Sequence, residues 1–132
     1  MSREELNKLT SAILDAAIEV HRELGPGLLE SMYEDCLAEE LRLRDMVVER
    51  QVPVAVHYKG RSLGRTLRID MRIDGRVLVE VKAIECLHES HRAQLLTYLK
   101  LTGCKLGLLL NFNEALLKNG IVRVVNGDLD AL

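Results

Sequence analysis

Asp70, Glu80 and Lys82 are the residues of this chain whose types and spacing suit chemistry. Glu80 and Lys82 stand two apart in Val77-Leu-Val-Glu80-Val-Lys82. In a strand they project from one face with Leu78, while Val77, Val79 and Val81 project from the other. A strand this apolar is expected to be central and mostly buried. A carboxylate and an ammonium on a buried face are costly unless they are paired or bound to a metal. Asp70 and Glu80 offer hard oxygen ligands for Mg²⁺ or Mn²⁺, with the Val81 carbonyl as a possible third. Such an ion polarises a phosphate and lowers the pKa of bound water. Lys82 then orients that water or stabilises the charge that develops in the transition state. Gln94, further along, could hydrogen-bond the water or a phosphate oxygen. The chemistry that fits this set is phosphodiester cleavage.

The set requires Asp70 and Glu80 to share a face, and the Asp74-Gly75 turn between their strands decides that. A two-residue loop sets Ile73 opposite Arg76 and turns Asp70 away from Glu80. A three-residue loop over Ile73, Asp74 and Gly75 sets Asp70 opposite Leu78, diagonal to Glu80 and within reach of a shared ion. Gly75 suits the left-handed position of the second arrangement. Both registers remain open at the level of sequence.

The surrounding elements follow from periodicity and caps. Ser2-x-x-Glu5 predicts the start of a first helix. Its face carries Leu6, Leu9, Ile13, Ala16, Ala17, Val20 and Leu24, and Gly25-Pro26-Gly27 stops it. A second helix runs from about Leu29 to Arg44, with Glu30 and Tyr33 on one side of its first turn. Val47 to Tyr58 alternates as a strand, and Pro53 marks it as an edge. Lys59-Gly60 turns into the strand that ends near Ile73. Lys59, Arg61, Arg65, Arg68 and Arg72 concentrate positive charge there, able to meet phosphates beside an acidic site. Ser90 caps a third helix ending at Gly103, on which His91, Gln94 and Tyr98 share a face. A buried strand from Cys104 to Phe112, a helical turn at Glu114 to Lys118 and a last strand from Ile121 to Val125 close the chain.

Composition bounds the alternatives. With 132 residues, 48% hydrophobic and 29% charged, the chain is expected to be globular and to form a single domain over 1–132. Aromatics make up only 3%, which argues against a stacking platform for single-stranded nucleic acid. A formal net charge of -2 argues against a non-specific basic coat. No signal peptide or membrane span is evident, and three widely spaced cysteines suit reduced thiols in a cytoplasm. Cys86-Leu-His88-Glu-Ser-His91 offers soft ligands but matches no standard zinc spacing.

At these residues the chain resembles the PD-(D/E)xK, restriction-endonuclease-like nucleases. Asp70 and Glu80-Val81-Lys82 match the core signature, with Ile69 where the superfamily name has Pro. Gln94-Leu-Leu-Thr-Tyr98 resembles the Q-x-x-x-Y motif of an exonuclease branch. Gly27-Leu-Leu-Glu30-Ser-Met-Tyr33 is similar to the pattern that names the small GxxExxY proteins. The resemblance implies an α+β fold with a restriction-endonuclease-like core. That core has two N-terminal helices, a central mixed sheet of four to five strands, and a helix packed between the third and fourth strands. It implies that Asp70, Glu80, Lys82 and Gln94 act in catalysis, and that Glu30 joins Asp70, Glu80 and Val81 around the metal. Tyr33, His91 and Tyr98 become auxiliary, and Arg61, Arg65, Arg68 and Arg72 contact nucleic acid. The expected function is metal-dependent cleavage of DNA with Mg²⁺ or Mn²⁺. The alternative is a silent module of the same fold that binds nucleic acid or a protein partner; under either reading a homodimer is among the expected partners.

Overall fold

The computed structural model describes residues 2–128. Its elements are α1 (Arg3–Leu24), α2 (Glu30–Leu43), β1 (Val48–Tyr58), β2 (Arg61–Ile73), β3 (Val77–Lys82), α3 (Glu89–Thr102), β4 (Leu106–Asn111), a 3₁₀ turn (Leu117–Gly120) and β5 (Ile121–Val125). The five strands lie in the order β1-β2-β3-β4-β5. Only β3 and β4 run parallel, because α3 carries the chain back between them. This α+β arrangement, with β1 at the edge and β3 in the middle, is consistent with a restriction-endonuclease-like fold.

Alternation along β3 divides the core. Val77, Val79 and Val81 join Met71, Ile73, Leu106, Leu108 and Leu110 under α1 and α2. Leu78 joins Ile69, Leu109 and Val124 under Leu95 and Leu99 of α3. Gly107 of β4 lets α3 approach closely, since a Cβ there would stand 3.0 Å from the Leu95 side chain. Ser2 caps α1 as expected, accepting from the Glu5 N–H at 3.1 Å. Two local expectations are corrected. The cap of α3 is His88 rather than Ser90, and the helical turn lies at Leu117–Gly120 rather than Glu114 to Lys118.

The hairpin between β2 and β3 takes neither of the two expected registers. Ile73 pairs with Val77, Arg72 with Leu78 and Met71 with Val79. Asp74 and Gly75 are both left-handed, with φ of 51° and 66°, and the Arg76 N–H donates to the Ile73 carbonyl at 2.9 Å. The turn itself thus has the character of a type I′ turn, and Arg76 is one extra residue before pairing resumes. The cause is Asp74, which is tied to the start of β1. Its N–H donates to the Val47 carbonyl at 2.8 Å, and its Oδ1 accepts from the Val47 N–H at 2.7 Å. Continued one step, this register brings Asp70 directly across from Glu80.

A second irregularity sits at Asp70 itself. Arg50 pairs with Met71 and Val52 with Ile69, so Gln51 and Asp70 face each other as an unpaired step in the ladder. Gln51 has φ +49°, a conformation that costs a non-glycine residue roughly 1–3 kcal/mol. Across this step Met71 packs under α1 and α2, but Ile69 packs under α3. Beyond it, residues 57–66 of the β1–β2 hairpin are exposed.

Candidate functional site

The site lies on the α3 face of β3, where β2 leaves it. Pairing between the two strands stops at Met71 and Val79. The next acceptor that β3 meets is a side chain: the Val81 N–H donates to Asp70 Oδ2 at 2.8 Å. Within one strand residue the N–H and C=O point the same way, so the Val81 carbonyl is directed into the same gap. Glu80 is only 5% exposed, and its buried Oε1 has no hydrogen-bond partner among the described residues. Burial pushes the Glu80 carboxyl up to about 9. The Asp70 charge and a hydrogen bond toward it add to that rise, while the Lys82 charge opposes it. At neutral pH the metal-free pair therefore holds a proton that a second cation would displace.

The donor chemistry fits a hard divalent ion. An orphaned buried carboxylate oxygen, a second carboxylate at the strand gap and the backbone carbonyl on the same edge of β3 all offer oxygen to an ion. Among the described residues no three His, Cys, Asp or Glu side chains form a ready-made cage. Mg²⁺ and Mn²⁺ suit such a partial shell, because Mg²⁺ in particular keeps several of its waters.

The remaining residues divide by where the fold carries them. Lys82 ends β3, half-buried, and its carbonyl accepts from the Phe112 N–H at 2.9 Å. Just beyond, Asn111 grips the Ile84 backbone from both sides, donating to its carbonyl at 3.0 Å and accepting from its N–H at 3.1 Å. That bond pair fixes the loop leaving the site. Glu30 reaches the same end of β3, accepting from the Ala83 N–H at 3.3 Å, without joining Asp70 and Glu80 in a three-carboxylate cluster. Tyr98 is 7% exposed, and its hydroxyl pKa is raised by burial and then by the charges of Glu80 and Asp70. The Tyr98 stripe of α3 is thereby turned toward the pair. Gln94, one turn earlier on that stripe, is exposed. His91 is occupied in capping α3, its Nδ1 accepting from the His88 N–H at 2.9 Å.

Tyr33 is fully buried and stacks on Phe112 with ring centroids 4.7 Å apart. Its hydroxyl donates to the Gly25 carbonyl at 2.5 Å and accepts from the Leu28 N–H at 3.1 Å. It therefore latches the turn between α1 and α2 and sets where α2, with Glu30, begins. The basic hairpin is divided as well. Arg61, Arg65 and Arg68 are exposed, in a stretch from 51 to 69 that has Lys59 and no acidic residue. Arg72 instead forms a two-pronged pair with Glu49, at 2.8 and 2.6 Å.

Sequence reasoning missed one set of contacts beside the site. Glu34, 9% exposed on α2, accepts from Arg50 at 2.7 Å and from the Gln51 amide at 3.0 Å. Arg50 also reaches Asp35 at 2.5 Å. The signals present were slight: an acidic pair at 34–35 and a polar pair interrupting the β1 pattern.

No curated protein and no solved structure gives a significant match to the chain. A sequence model of the PD-(D/E)XK nuclease superfamily matches residues 7–124, from α1 through Val124 of β5. Nucleases of this superfamily generally use divalent metals. The match spans most of the 132 residues and takes in both carboxylates of the strand gap. The chain belongs to the PD-(D/E)XK nuclease superfamily.

Proposed function

We propose that this protein is a metal-dependent nuclease that hydrolyses DNA phosphodiester bonds at the gap between β2 and β3. The observation that carries the reading is the buried, unpartnered Oε1 of Glu80, on a carboxyl that feels the Asp70 charge, a cost that a bound cation removes. Asp70, Glu80 and the Val81 carbonyl would hold Mg²⁺ or Mn²⁺, with Glu30 reaching the ion only through a water at the edge. When bound, such an ion supplies Lewis acidity and an acidified water. Lys82 orients the attacking water and meets the charge that develops on the phosphate oxygens. Water adds to phosphorus, one P–O ester bond breaks, and the leaving oxygen takes up a proton. Gln94 steadies the water or a phosphate oxygen. Tyr98 lines the wall of the site, and His91 and Tyr33 act by fixing the elements that carry these groups. Arg61, Arg65 and Arg68 hold phosphates away from the cut, and Arg72 contributes through the β1–β2 pairing it secures.

Within the superfamily, Gly27, Glu30 and Tyr33 support membership of the GxxExxY group. Tyr33 latches the Gly25–Leu28 turn, and Glu30 reaches β3. We further read residues 1–132 as one domain. The free thiols of Cys36, Cys86 and Cys104 support a reducing cytoplasm, and none of the described helices is long and apolar enough to cross a membrane. A partner-binding role is favoured by one observation, the exposed apolar residues Leu28, Leu29 and Met32 around the start of α2. Incubating the purified chain with single-stranded, duplex and flapped DNA, with Mg²⁺, Mn²⁺ or EDTA, separates the two. Metal-dependent cutting supports the nuclease. Metal binding without cutting of any form supports the binding module.

A further inference from the structure

We infer that Glu34 is a positioning residue for Asp70, acting through Gln51 at the unpaired step between β1 and β2. The chain of contacts is continuous. Glu34 on α2 holds the Arg50 guanidinium and the Gln51 amide, at 2.7 and 3.0 Å. Gln51 is kept at φ +49°, a conformation a glutamine in a strand does not otherwise adopt. Asp70 is the residue across from it, flanked by the intact pairs Arg50–Met71 and Val52–Ile69.

The consequence falls on the opposite edge of β2. With a regular ladder, β2 would continue beside β3, and a β2 backbone carbonyl would take the Val81 N–H. With the step in place, Ile69 rotates under α3, β2 parts from β3 after Met71, and the Asp70 carboxylate takes that N–H instead, at 2.8 Å. The Glu34 clamp thus keeps open the strand gap in which Asp70, Glu80 and the Val81 carbonyl meet. The importance of that gap for catalysis rests on the metal-site reading above; the clamp itself does not.

The test uses the full chain without metal and reads the Val81 amide. Gln51 is exposed, so replacing it opens no cavity. Gln51→Val and Gln51→Gly both lose the bonds to Glu34, but only glycine tolerates the positive φ. Val81 amide exchange, normalised to that of Val79, should change by about tenfold or more in Gln51→Val, because its acceptor is no longer the Asp70 carboxylate, and stay near wild type in Gln51→Gly. Glu34→Met, similar in volume but without acceptors, should shift it in the same direction as Gln51→Val, and adding Gln51→Gly to that variant should restore it. Unchanged Val81 exchange in Gln51→Val, or an equal shift with glycine, overturns the inference. A Mn²⁺ titration of the same proteins keeps the two readings apart. A wild type that binds no Mn²⁺ contradicts the metal site and leaves the exchange result standing. A wild type that binds Mn²⁺ beside a Gln51→Val variant that binds it equally well contradicts the clamp.

Discussion

The Asp70 carboxylate accepts the Val81 N–H at 2.8 Å, and so a side chain takes the place of a backbone carbonyl at the point where β2 parts from β3. This single bond gives Asp70 two duties. It closes the ladder, and it holds one carboxylate oxygen facing Glu80. The duties can be separated by substitution. Asp70→Asn retains a carbonyl oxygen for Val81 and loses the charge; Asp70→Ala loses both. Both should abolish Mn²⁺ binding. In denaturant melts of the metal-free protein, Asp70→Ala should be the less stable by about 1–3 kcal/mol, the cost of a buried donor left without a partner. Equal stability of the two variants would remove the structural duty.

Glu80 sets the pH dependence of the metal-free protein. Its carboxyl is held at about 9, against 4.5 for a free glutamate. The folded state therefore binds the Glu80 proton more tightly than the unfolded state does. The stability this contributes is complete below about pH 4.5 and is lost as the pH rises toward about 9. The urea midpoint should fall across that window, and Glu80→Gln should flatten the fall. A midpoint that rises with pH in the wild type, and not in the variant, would show the sign to be wrong.

Much of this was legible in the sequence, and the exceptions have physical causes. The alternation of Val77 to Lys82 gave the central strand and its polar face without help from any contact. Of the residues on the Gln94 and Tyr98 stripe, Tyr98 is buried against the sheet while Gln94 is exposed. The register was not legible, because Asp74 is tied to Val47, a residue 27 positions away, and no local turn rule carries that bond. The Glu34–Gln51 contact was hidden for the same reason: a positive φ at a glutamine is imposed by tertiary partners, not by its own preference. Arg72 appeared free in the sequence because its partner Glu49 becomes its neighbour only when β1 pairs with β2.

Lys82 should separate binding from turnover. Lys82→Ala keeps both carboxylates, and so Mn²⁺ should bind at least as tightly once a neighbouring positive charge is gone. Cleavage should fall by about 10²–10³, the scale of losing one preorganised charge at a transition state. Single-turnover rates with calorimetry on the same preparation check both halves. Loss of metal binding along with cleavage would make Lys82 a structural partner of the carboxylates.

The exposed arginines should govern substrate affinity alone. Replacing Arg61, Arg65 and Arg68 together by Gln should weaken DNA binding and lower its salt slope by about one per lost phosphate contact. Mn²⁺ affinity should not change. DNA affinity that is unaltered, measured by fluorescence anisotropy across a salt series, would move the nucleic-acid contact to another surface.

Tyr33→Phe tests the latch between α1 and α2. The change leaves the stack on Phe112 in place but removes the hydroxyl that bridges Gly25 and Leu28. A loss of about 1–3 kcal/mol in stability is expected from the two unmatched backbone groups. A variant as stable as the wild type would show that the turn holds without the bridge.

The central claim is that Asp70 and Glu80 share a divalent ion, and Mn²⁺ calorimetry in buffers of different ionisation heat tests it most directly. Glu80 holds a proton at neutral pH in the metal-free site, so an ion that uses its carboxylate must displace that proton. The account predicts saturable Mn²⁺ binding by the wild type at pH 7, with release of about one proton per ion. It predicts no such binding by Glu80→Gln. Absence of saturable binding by the wild type, or binding by Glu80→Gln that matches it, would contradict the account.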